Sequence, residues 1–235
     1  IHYYWNGTME SVAPDNVVRD CTFGETYTEY PIVIGGCSFV SPDSKSVTID
    51  ADESKNVIIF YYYKNVELKA NSAEEKYDGT EKSVDGYKTS VEAAQNADFG
   101  ITVGAKGTNV GEYPAKFDDN VVGTVDANMQ YIVTAVEDGK LVITGDPIIP
   151  QKDSRAVETN YKLGETIPFT ISVKNVSKNA VENIEVVDNN AVITPGTGYT
   201  VVDGDGHKAI ITRIEPNDTI IVSAGHVVTE TDILN

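Results

Sequence analysis

The sequence predicts an all-β protein built from three small tandem domains. Along nearly all of its 235 residues, short apolar or alternating runs are separated by turn signals, as is typical of chains made of strands. The runs are rich in Val, Ile, Thr and aromatic side chains, and the 13 tyrosines belong to this set; such residues suit a pleated, half-buried surface. Helical periodicity is nearly absent, and only residues 71–76 and 89–97 favour one or two helical turns.

The alternating runs define the strands, and glycine pairs define the turns between them. We predict strands at residues 1–5, 32–34, 46–49, 57–63, 131–136, 141–143, 167–173, 184–187, 208–214 and 219–224. Asn-Gly or Asp-Gly pairs occur at 6–7, 78–79, 85–86 and 138–139, and DGDG occupies 203–206. These pairs suit the left-handed backbone angles of tight turns.

Two polar stretches divide the chain. Residues 64–76 are poor in apolar side chains, and residues 145–155 carry two prolines, which suit an extended connector. We therefore expect domains at 1–66, 67–149 and 150–235 in an elongated arrangement. Each is near the small end of what one hydrophobic core supports.

The charge excludes several classes of partner. The formal net charge is −18 and the pI about 4.4, so a nucleic-acid backbone or an anionic membrane surface would repel the chain. No apolar run reaches the roughly 18 residues of a membrane span. Because the sequence begins within a strand-like segment and without Met, we expect it to be a piece of a longer protein.

The two cysteines, Cys21 and Cys37, do not form a zinc motif, since their spacing is wrong and only three histidines are present. Two interpretations stay open. The two cysteines are either free thiols that pack in a core, or they are joined in a disulfide. A disulfide closing a loop of about 15 residues would contribute roughly 3 kcal/mol.

The first predicted domain contains a "GE-x-Y" turn, a following glycine element and a closing strand that ends in "YYK". The residues of this pattern are Gly24, Glu25, Tyr27, Gly36, Ser38, Tyr62, Tyr63 and Lys64. The pattern resembles the mucin-binding-protein (MucBP) repeat of Gram-positive surface proteins. Cys37 stands where the family usually has tyrosine, and Cys21 where it has a small turn residue. These two departures favour a disulfide between them.

The other two domains resemble further bacterial surface repeats. The stretch that opens with "YDGTEKSVDGYK" is similar to the YDG repeat of adhesin-like proteins, through Tyr77, Asp78, Gly79, Asn109, Gly111, Tyr113 and the closing "GKLVIT". The last domain is similar to an immunoglobulin-like surface repeat, through Tyr161, Gly164, Ile167, Phe169, Ile171, Val173, Asn175, Ile214, Pro216 and Thr219.

Together the three resemblances imply an extracellular, wall-attached or secreted parent protein. They imply a small mixed or β-grasp-like sheet in the first domain and immunoglobulin-like β-sandwiches in the other two. They also imply a monomeric fragment without enzymatic activity.

Aromatic residues near the start and end of the first domain are the strongest candidate binding site. Tyr3, Tyr4 and Trp5 belong to one predicted strand, and Tyr61, Tyr62 and Tyr63 to another. Alternate strand residues face opposite sides, so one row would be core and the other partly exposed. Exposed tyrosine and tryptophan suit stacking on sugars, and the alternative is that these rings only shield a small core.

Catalytic and metal-binding patterns are weak. His2, His207 and His226 lie near no nucleophile motif. The paired acids Asp78/Glu81 and Asp118/Asp119 are interpreted as turn residues.

The stretch "DADESKN" resembles the start of an EF-hand loop but lacks its glycine and its final glutamate. A calcium ion at 203–206 or near Asp118 stays open, as does an isopeptide bond from Lys162 or Lys174 to a late asparagine. Glycines 104, 107 and 111 read as strand residues and not as a phosphate loop.

The sequence therefore leaves three functional hypotheses. The first is an adhesive fragment whose first domain contacts mucin or other glycans. The second is a pure spacer that presents another part of the parent protein. The third is an accessory region of a large secreted carbohydrate-active enzyme.

Overall fold

The computed structural model describes residues 1–40, 42–157 and 160–234, which are mostly strand. The strands are β1 (His2–Trp5), β2 (Thr26–Glu29), β3 (Cys37–Phe39), β4 (Lys45–Thr48), β5 (Ile59–Ala70), β6 (Ala73–Lys76), β7 (Lys82–Asp85), β8 (Tyr87–Thr89), β9 (Gly104–Gly107), β10 (Gly111–Ala115), β11 (Tyr131–Glu137), β12 (Gly139–Thr144), β13 (Ile148–Ser154), β14 (Thr166–Asn175), β15 (Val181–Val187), β16 (Val192–Ile193), β17 (Thr200–Val201), β18 (Lys208–Ile214) and β19 (Thr219–Val227), before helix α1 (Glu230–Leu234). The predicted all-β class is confirmed.

The chain forms two compact units. The first comprises Ile1–Ala73, Ser83–Ala105 and Pro114–Leu141, and the second comprises Glu74–Lys82, Lys106–Tyr113 and Val142–Asn235. The division into three domains, with boundaries after residues 66 and 149, stays a prediction. No helix among residues 1–40, 42–157 and 160–234 is long and apolar enough to cross a membrane.

Strand β5 is the centre of the first unit. It pairs in parallel with β1 over Ile59 to Tyr62 and in parallel with β11 from Lys64 onward. It also pairs antiparallel with β3 at residues 62–64 and with β8 at residues 68–70. In the first unit β2 also pairs with β4.

Two further sheets do not belong to the first unit alone: β7 pairs with β9, and a three-stranded sheet has the order β10–β12–β6.

The residues of β5 alternate between a buried face and an outer face. Phe60, Tyr62, Val66 and Leu68 are at most 1% exposed, while Glu67 and the other odd-numbered positions are partly or fully exposed. Each large buried side chain stabilises the fold by roughly 1.5–3 kcal/mol relative to exposure. Tyr3 of β1 joins Ile58, Phe60 and Tyr62 in one cluster, which therefore fixes β1 against β5.

The connector predicted at residues 64–76 is wrong. Residues 64–70 continue β5, and residues 73–76, predicted as a helical turn, are strand β6. Val66, Leu68 and Ala70 are buried, and the residues between them are the charged Glu67 and Lys69. A strand that is buried on one face alternates in this way. Because the stretch is short, its composition resembles that of a polar linker.

The second unit contains two sheets that share one core. One sheet has the order β13–β14–β19–β16, and the other has the order β15–β18–β17. Their buried residues form a single cluster that includes Ile171, Val173, Val222, Ile193, Ile211 and Ile214. The predicted alternation along residues 167–173 matches the observed strand β14.

The connector predicted at residues 145–155 is also wrong. Its central part is strand β13, which pairs with β14 along its whole length, from Ile148 opposite Asn175 to Ser154 opposite Phe169. Pro150 is compatible with this strand because β13 lies at the edge of its sheet, where a missing N–H removes no hydrogen bond that the ladder needs.

Most other strand predictions are confirmed within a few residues, and residues 92–94 form the short helical turn expected in that region. The exception is 32–34, which is not a strand; Val33 is fully exposed. Gly35 and Gly36 form a turn directly after it, and pairing with β5 begins only at Cys37.

We predict that the substitution Val66→Ala lowers the free energy of unfolding of the first unit by about 2 kcal/mol, because it removes buried methyl groups and leaves a cavity. Urea unfolding followed by the fluorescence of Trp5, the only tryptophan of the chain, measures this loss. Val17→Ala is the control, since Val17 is 68% exposed. Equal effects of the two changes would contradict the assignment of residues 64–70 to the core.

Candidate functional site

The aromatic residues of β1 and β5 divide between the two faces of the sheet. Tyr3 and Tyr62 point into the core and are 2% and 1% exposed. Trp5 packs against the same cluster, half-buried. These three residues of the predicted site are thus core residues, because the parallel register places Tyr3 beside Phe60 and Trp5 beside Tyr62.

The opposite face carries a row of half-buried rings, which we call the outer row: His2, Tyr4, Tyr61 and Tyr63. Tyr4 lies beside Tyr61 in the register of the two strands. The rings of His2 and Tyr4 stack with 5.5 Å between centroids and 8° between planes. Tyr4 and Tyr61 are 6.5 Å apart and tilted by 47°. The rings of His2, Tyr4 and Tyr61 are therefore neighbours, and Tyr63 lies on the same face of β5.

One residue of this site, Lys45, was missed in the sequence, whereas His2 belongs to the aromatic stretch at the start of the chain. His2 belongs to the outer row by simple alternation with Tyr4, and its Nδ1 lies 2.8 Å from the Asp15 carboxylate. Lys45 comes from β4, with its ammonium 5.5 Å from the centre of the Tyr61 ring. That ammonium also donates to the backbone oxygen of Ile59 at 2.6 Å. Only the folded arrangement of β4 and β5 reveals Lys45, since the sequence gives no signal for it.

The polar residues beside the outer row suit recognition of hydroxyl groups. Asn65 follows Tyr61 and Tyr63 in the alternation of β5, and its side-chain oxygen accepts a hydrogen bond from Ser38 at 2.7 Å. Amide, hydroxyl and ring groups next to one another are what a neutral, hydroxyl-rich ligand needs.

On the inner face, burial raises the pKa of Tyr3 and of Tyr62, so these tyrosines stay neutral.

On the inner face, a lysine ammonium also lies against the rings. The Lys64 ammonium lies 4.8 Å from the centre of the Trp5 ring and 5.9 Å from that of Tyr131. A cation over an aromatic face is stabilised by the ring quadrupole. Trp5 thus packs against Lys64 on the inner side of the sheet. A substitution of Trp5 would therefore test packing more than ligand binding.

Cys21 and Cys37 are both free thiols in the structure. Cys21 is exposed, whereas Cys37 is half-buried with its Sγ 3.7 Å from the backbone oxygen of Gly35. Burial raises the pKa of Cys37, although the Lys64 ammonium acts in the opposite direction. The disulfide between the two cysteines stays a prediction.

The carboxylate of Asp78 is hydrogen-bonded within a turn. It accepts hydrogen bonds from the Thr80 hydroxyl at 2.6 Å, the Thr80 amide at 2.9 Å and the Lys82 ammonium at 2.7 Å. These donors, Lys82 first, hold the pKa of Asp78 well below its usual range. A general acid needs a proton near neutral pH, so this carboxylate is unsuited to that role.

Acidic side chains in two loops accept hydrogen bonds from their own backbone. Asp50 accepts from the amide of Asp52 at 2.9 Å, and Asp52 caps the short helical turn that follows. One oxygen of Asp203 accepts from the amide of His207 at 3.0 Å, whereas its other oxygen is buried without a hydrogen-bond partner among the described residues. A calcium ion at 203–206 or near Asp118 stays a prediction. Within the described residues, no three His, Cys, Asp or Glu side chains are placed to share a metal ion.

The glycines at 104, 107 and 111 lie in strands β9 and β10, as predicted. A Cβ atom at Gly107 would lie 2.4 Å from the Tyr113 ring, so this position requires glycine for packing. The Tyr113 hydroxyl donates to the backbone oxygen of Asn109 at 2.9 Å, closing the turn between the two strands.

The histidines of the second unit have structural partners. The Nδ1 atom of His207 lies 2.7 Å from the backbone oxygen of Asp188, to which it donates. His226 has an acceptor at each ring nitrogen: the backbone oxygen of Asn190 at 2.6 Å and the Asp232 carboxylate at 2.9 Å. Two acceptors require two N–H groups, so this arrangement favours the imidazolium form.

No protein-family model matches the sequence, and no curated protein is significantly similar to it. The three repeat resemblances therefore rest on their motifs and stay predictions.

We predict that the pKa of His226 lies above its ordinary value of 6.5, because the Asp232 carboxylate and the Asn190 oxygen both favour the charged ring. The pKa of Asp232 is lowered to about 2 by Thr229 and by His226. A raised folded-state pKa adds stability below pH 6.5, and that stability is lost as the pH rises through the raised value. The attachment of α1 should therefore weaken above that pH.

An NMR titration of the His226 ring measures this pKa. Asp232→Asn should return it toward 6.5, whereas Glu230→Gln, which removes a nearby charge of the same sign, should change it little. An unchanged titration in Asp232→Asn would show that the pair does not form in solution.

We predict that, in the reduced protein, Cys21 reacts with iodoacetamide faster than Cys37, because it is exposed and the Cys37 thiol is half-buried with a raised pKa. Peptide mass mapping after brief treatment gives the two rates. The intact mass of protein purified without reductant tests the disulfide, since a bond removes two hydrogen atoms and blocks both reactions.

Proposed function

We propose that this chain is a non-catalytic, extracellular stalk and adhesion fragment of a bacterial cell-surface protein, and that its first unit contacts mucin or other glycans. The observation that carries the proposal is the outer row. His2, Tyr4 and Tyr61 are half-buried rings that lie beside one another, and Tyr63 is a half-buried ring of the same strand face. Planar rings in such a row offer flat apolar surfaces against which pyranose rings stack.

The rest of the chain supports a non-catalytic role. Asp78 and Asp52 are bound within turns, and His226 supports the attachment of the last helix. The second unit has two sheets around one core, an architecture compatible with the immunoglobulin-like repeat that its motifs resemble. A fragment of this kind extends and presents a binding surface, and the net charge of −18 keeps it soluble.

A pure spacer is the second candidate. Its support is the burial of Tyr3 and Tyr62, which shows that part of the aromatic cluster serves the core. In that case the outer row would only cover the sheet. The third hypothesis, an accessory region of a secreted carbohydrate-active enzyme, would use the same outer row for binding. It differs from the adhesive fragment only in the parent protein to which the chain belongs.

We predict that the protein binds immobilised mucin or a glycan array saturably and that Tyr61→Ala weakens this binding about tenfold, the effect of losing roughly 1.4 kcal/mol of ring contact. Tyr61→Phe should retain most of the affinity, since the ring remains. Tyr30→Ala is the control, because Tyr30 is 64% exposed and lies outside the row. Circular dichroism of each variant excludes unfolding.

Two results would contradict the adhesive role. Binding no stronger than that of a control protein of equal net charge would leave the spacer as the function. Equal losses in Tyr61→Ala and Tyr30→Ala would remove the outer row from the site.

A further inference from the structure

A shallow groove of about 300 Å³ lies on the first unit, across three neighbouring strands. It is lined by residues 67–69 of β5, by residues 88–90 at the end of β8 and by residues 135–137 of β11. Since Lys69 follows Tyr61, Tyr63 and Asn65 in the alternation of β5, the groove begins on the strand face that carries the outer row. The distance along the strand from Tyr63 to Lys69 is roughly 20 Å at 3.3 Å per residue.

The groove contains two lysines, Lys69 and Lys88, and two glutamates, Glu67 and Glu137, and the strand register sets which of them are neighbours. Lys69 lies directly opposite Lys88 on one side and beside Glu137 on the other. The Lys69 ammonium is 2.5 Å from the Glu137 carboxylate, and both side chains are more than half exposed. Lys88 is exposed and, within residues 1–40, 42–157 and 160–234, makes no ion pair. Two like charges directly opposite each other destabilise a sheet.

This lysine pair is notable in a chain with 36 acidic and 18 basic residues. An acidic residue at position 88 would have neutralised Lys69 and supported the sheet, as Glu137 does from the other strand. The present sequence instead leaves one ammonium without a partner at the edge of a groove. An anion placed between Lys69 and Lys88 would remove the repulsion and gain two charged donors.

We propose that the groove binds the acidic group, carboxylate or sulfate, of an extended glycan whose neutral rings stack on the outer row. This inference rests on the proposed function and specifies its ligand as an acidic saccharide. The overall charge of −18 opposes polyanions, so the attraction is local. It should therefore weaken as salt screens it, with a screening length of about 8 Å at physiological ionic strength.

The test uses isothermal titration calorimetry with the whole protein and compares three glucose hexasaccharides. One is unsubstituted, one carries a single carboxylate on a terminal sugar, and one carries a single sulfate on a terminal sugar. We expect at least one of the acidic probes to bind about fivefold more tightly than the neutral one at low salt. Preference for one of the two acidic probes identifies the acid group.

Variants of opposite sign make the test specific. Lys88→Gln should abolish the preference for the acidic probe, and Glu137→Gln should increase it about threefold by freeing Lys69. Lys116→Gln, which removes an exposed lysine of the same unit outside the groove, should change nothing. A gain in Glu137→Gln is not expected from a purely structural role, since that change breaks an ion pair.

The outcomes separate the two proposals. Equal affinity for all three probes, with Tyr61→Ala weakening each of them, would retain the glycan-binding function and overturn the acidic site. The same would follow if Lys88→Gln and Lys116→Gln behaved alike. Absence of binding to all three probes, in a protein that binds immobilised mucin or a glycan array, would overturn the acidic site and retain the glycan-binding function. Absence of binding to the probes, to mucin and to the array would overturn both.

Discussion

The two-residue alternation of strand β5 is the constraint on which the first unit depends. Twelve residues without a break send Phe60, Tyr62, Val66 and Leu68 to the core, and the intervening residues to the opposite face. A shift of one position would exchange the two faces and expose every large core side chain of the strand. Four other strands take their register from β5, so the core, the outer row and the groove are all fixed by one pattern.

The sequence predicted this alternation only in part. The apolar residues at 57–63 were sufficient to predict a strand, yet its continuation through residue 70 was read as a connector. In that continuation Val66, Leu68 and Ala70 are separated by charged side chains, so mean polarity is high although every second position is buried. The same holds for β13, where Pro147 and Pro150 resemble a linker. Its pairing with β14 is set by residues about twenty positions away, which local patterns do not contain.

The candidate site shows the same limit. That one aromatic row would be core and the other partly exposed followed from alternation alone. Which row is which depends on the parallel pairing of β1 with β5, and this pairing joins residues nearly sixty positions apart. Parallel strands require a long crossover, so no turn signal marks them. Lys45, and the opposition of Lys69 to Lys88, are likewise consequences of tertiary register.

The placement of charge separates the residues that stabilise turns from those that are free to bind. Asp78, Asp52, Asp203 and Asp232 each accept hydrogen bonds from neighbouring groups in the chain, so these four acidic residues have a local structural role. Strand β5 is different, because the charged groups of its outer face satisfy no turn. Glu137 neutralises only one of two adjacent lysines, and the tyrosines further along retain partly accessible rings. The charges and rings of this face exceed what the fold requires, and this is the physical reason why we propose that a ligand binds there.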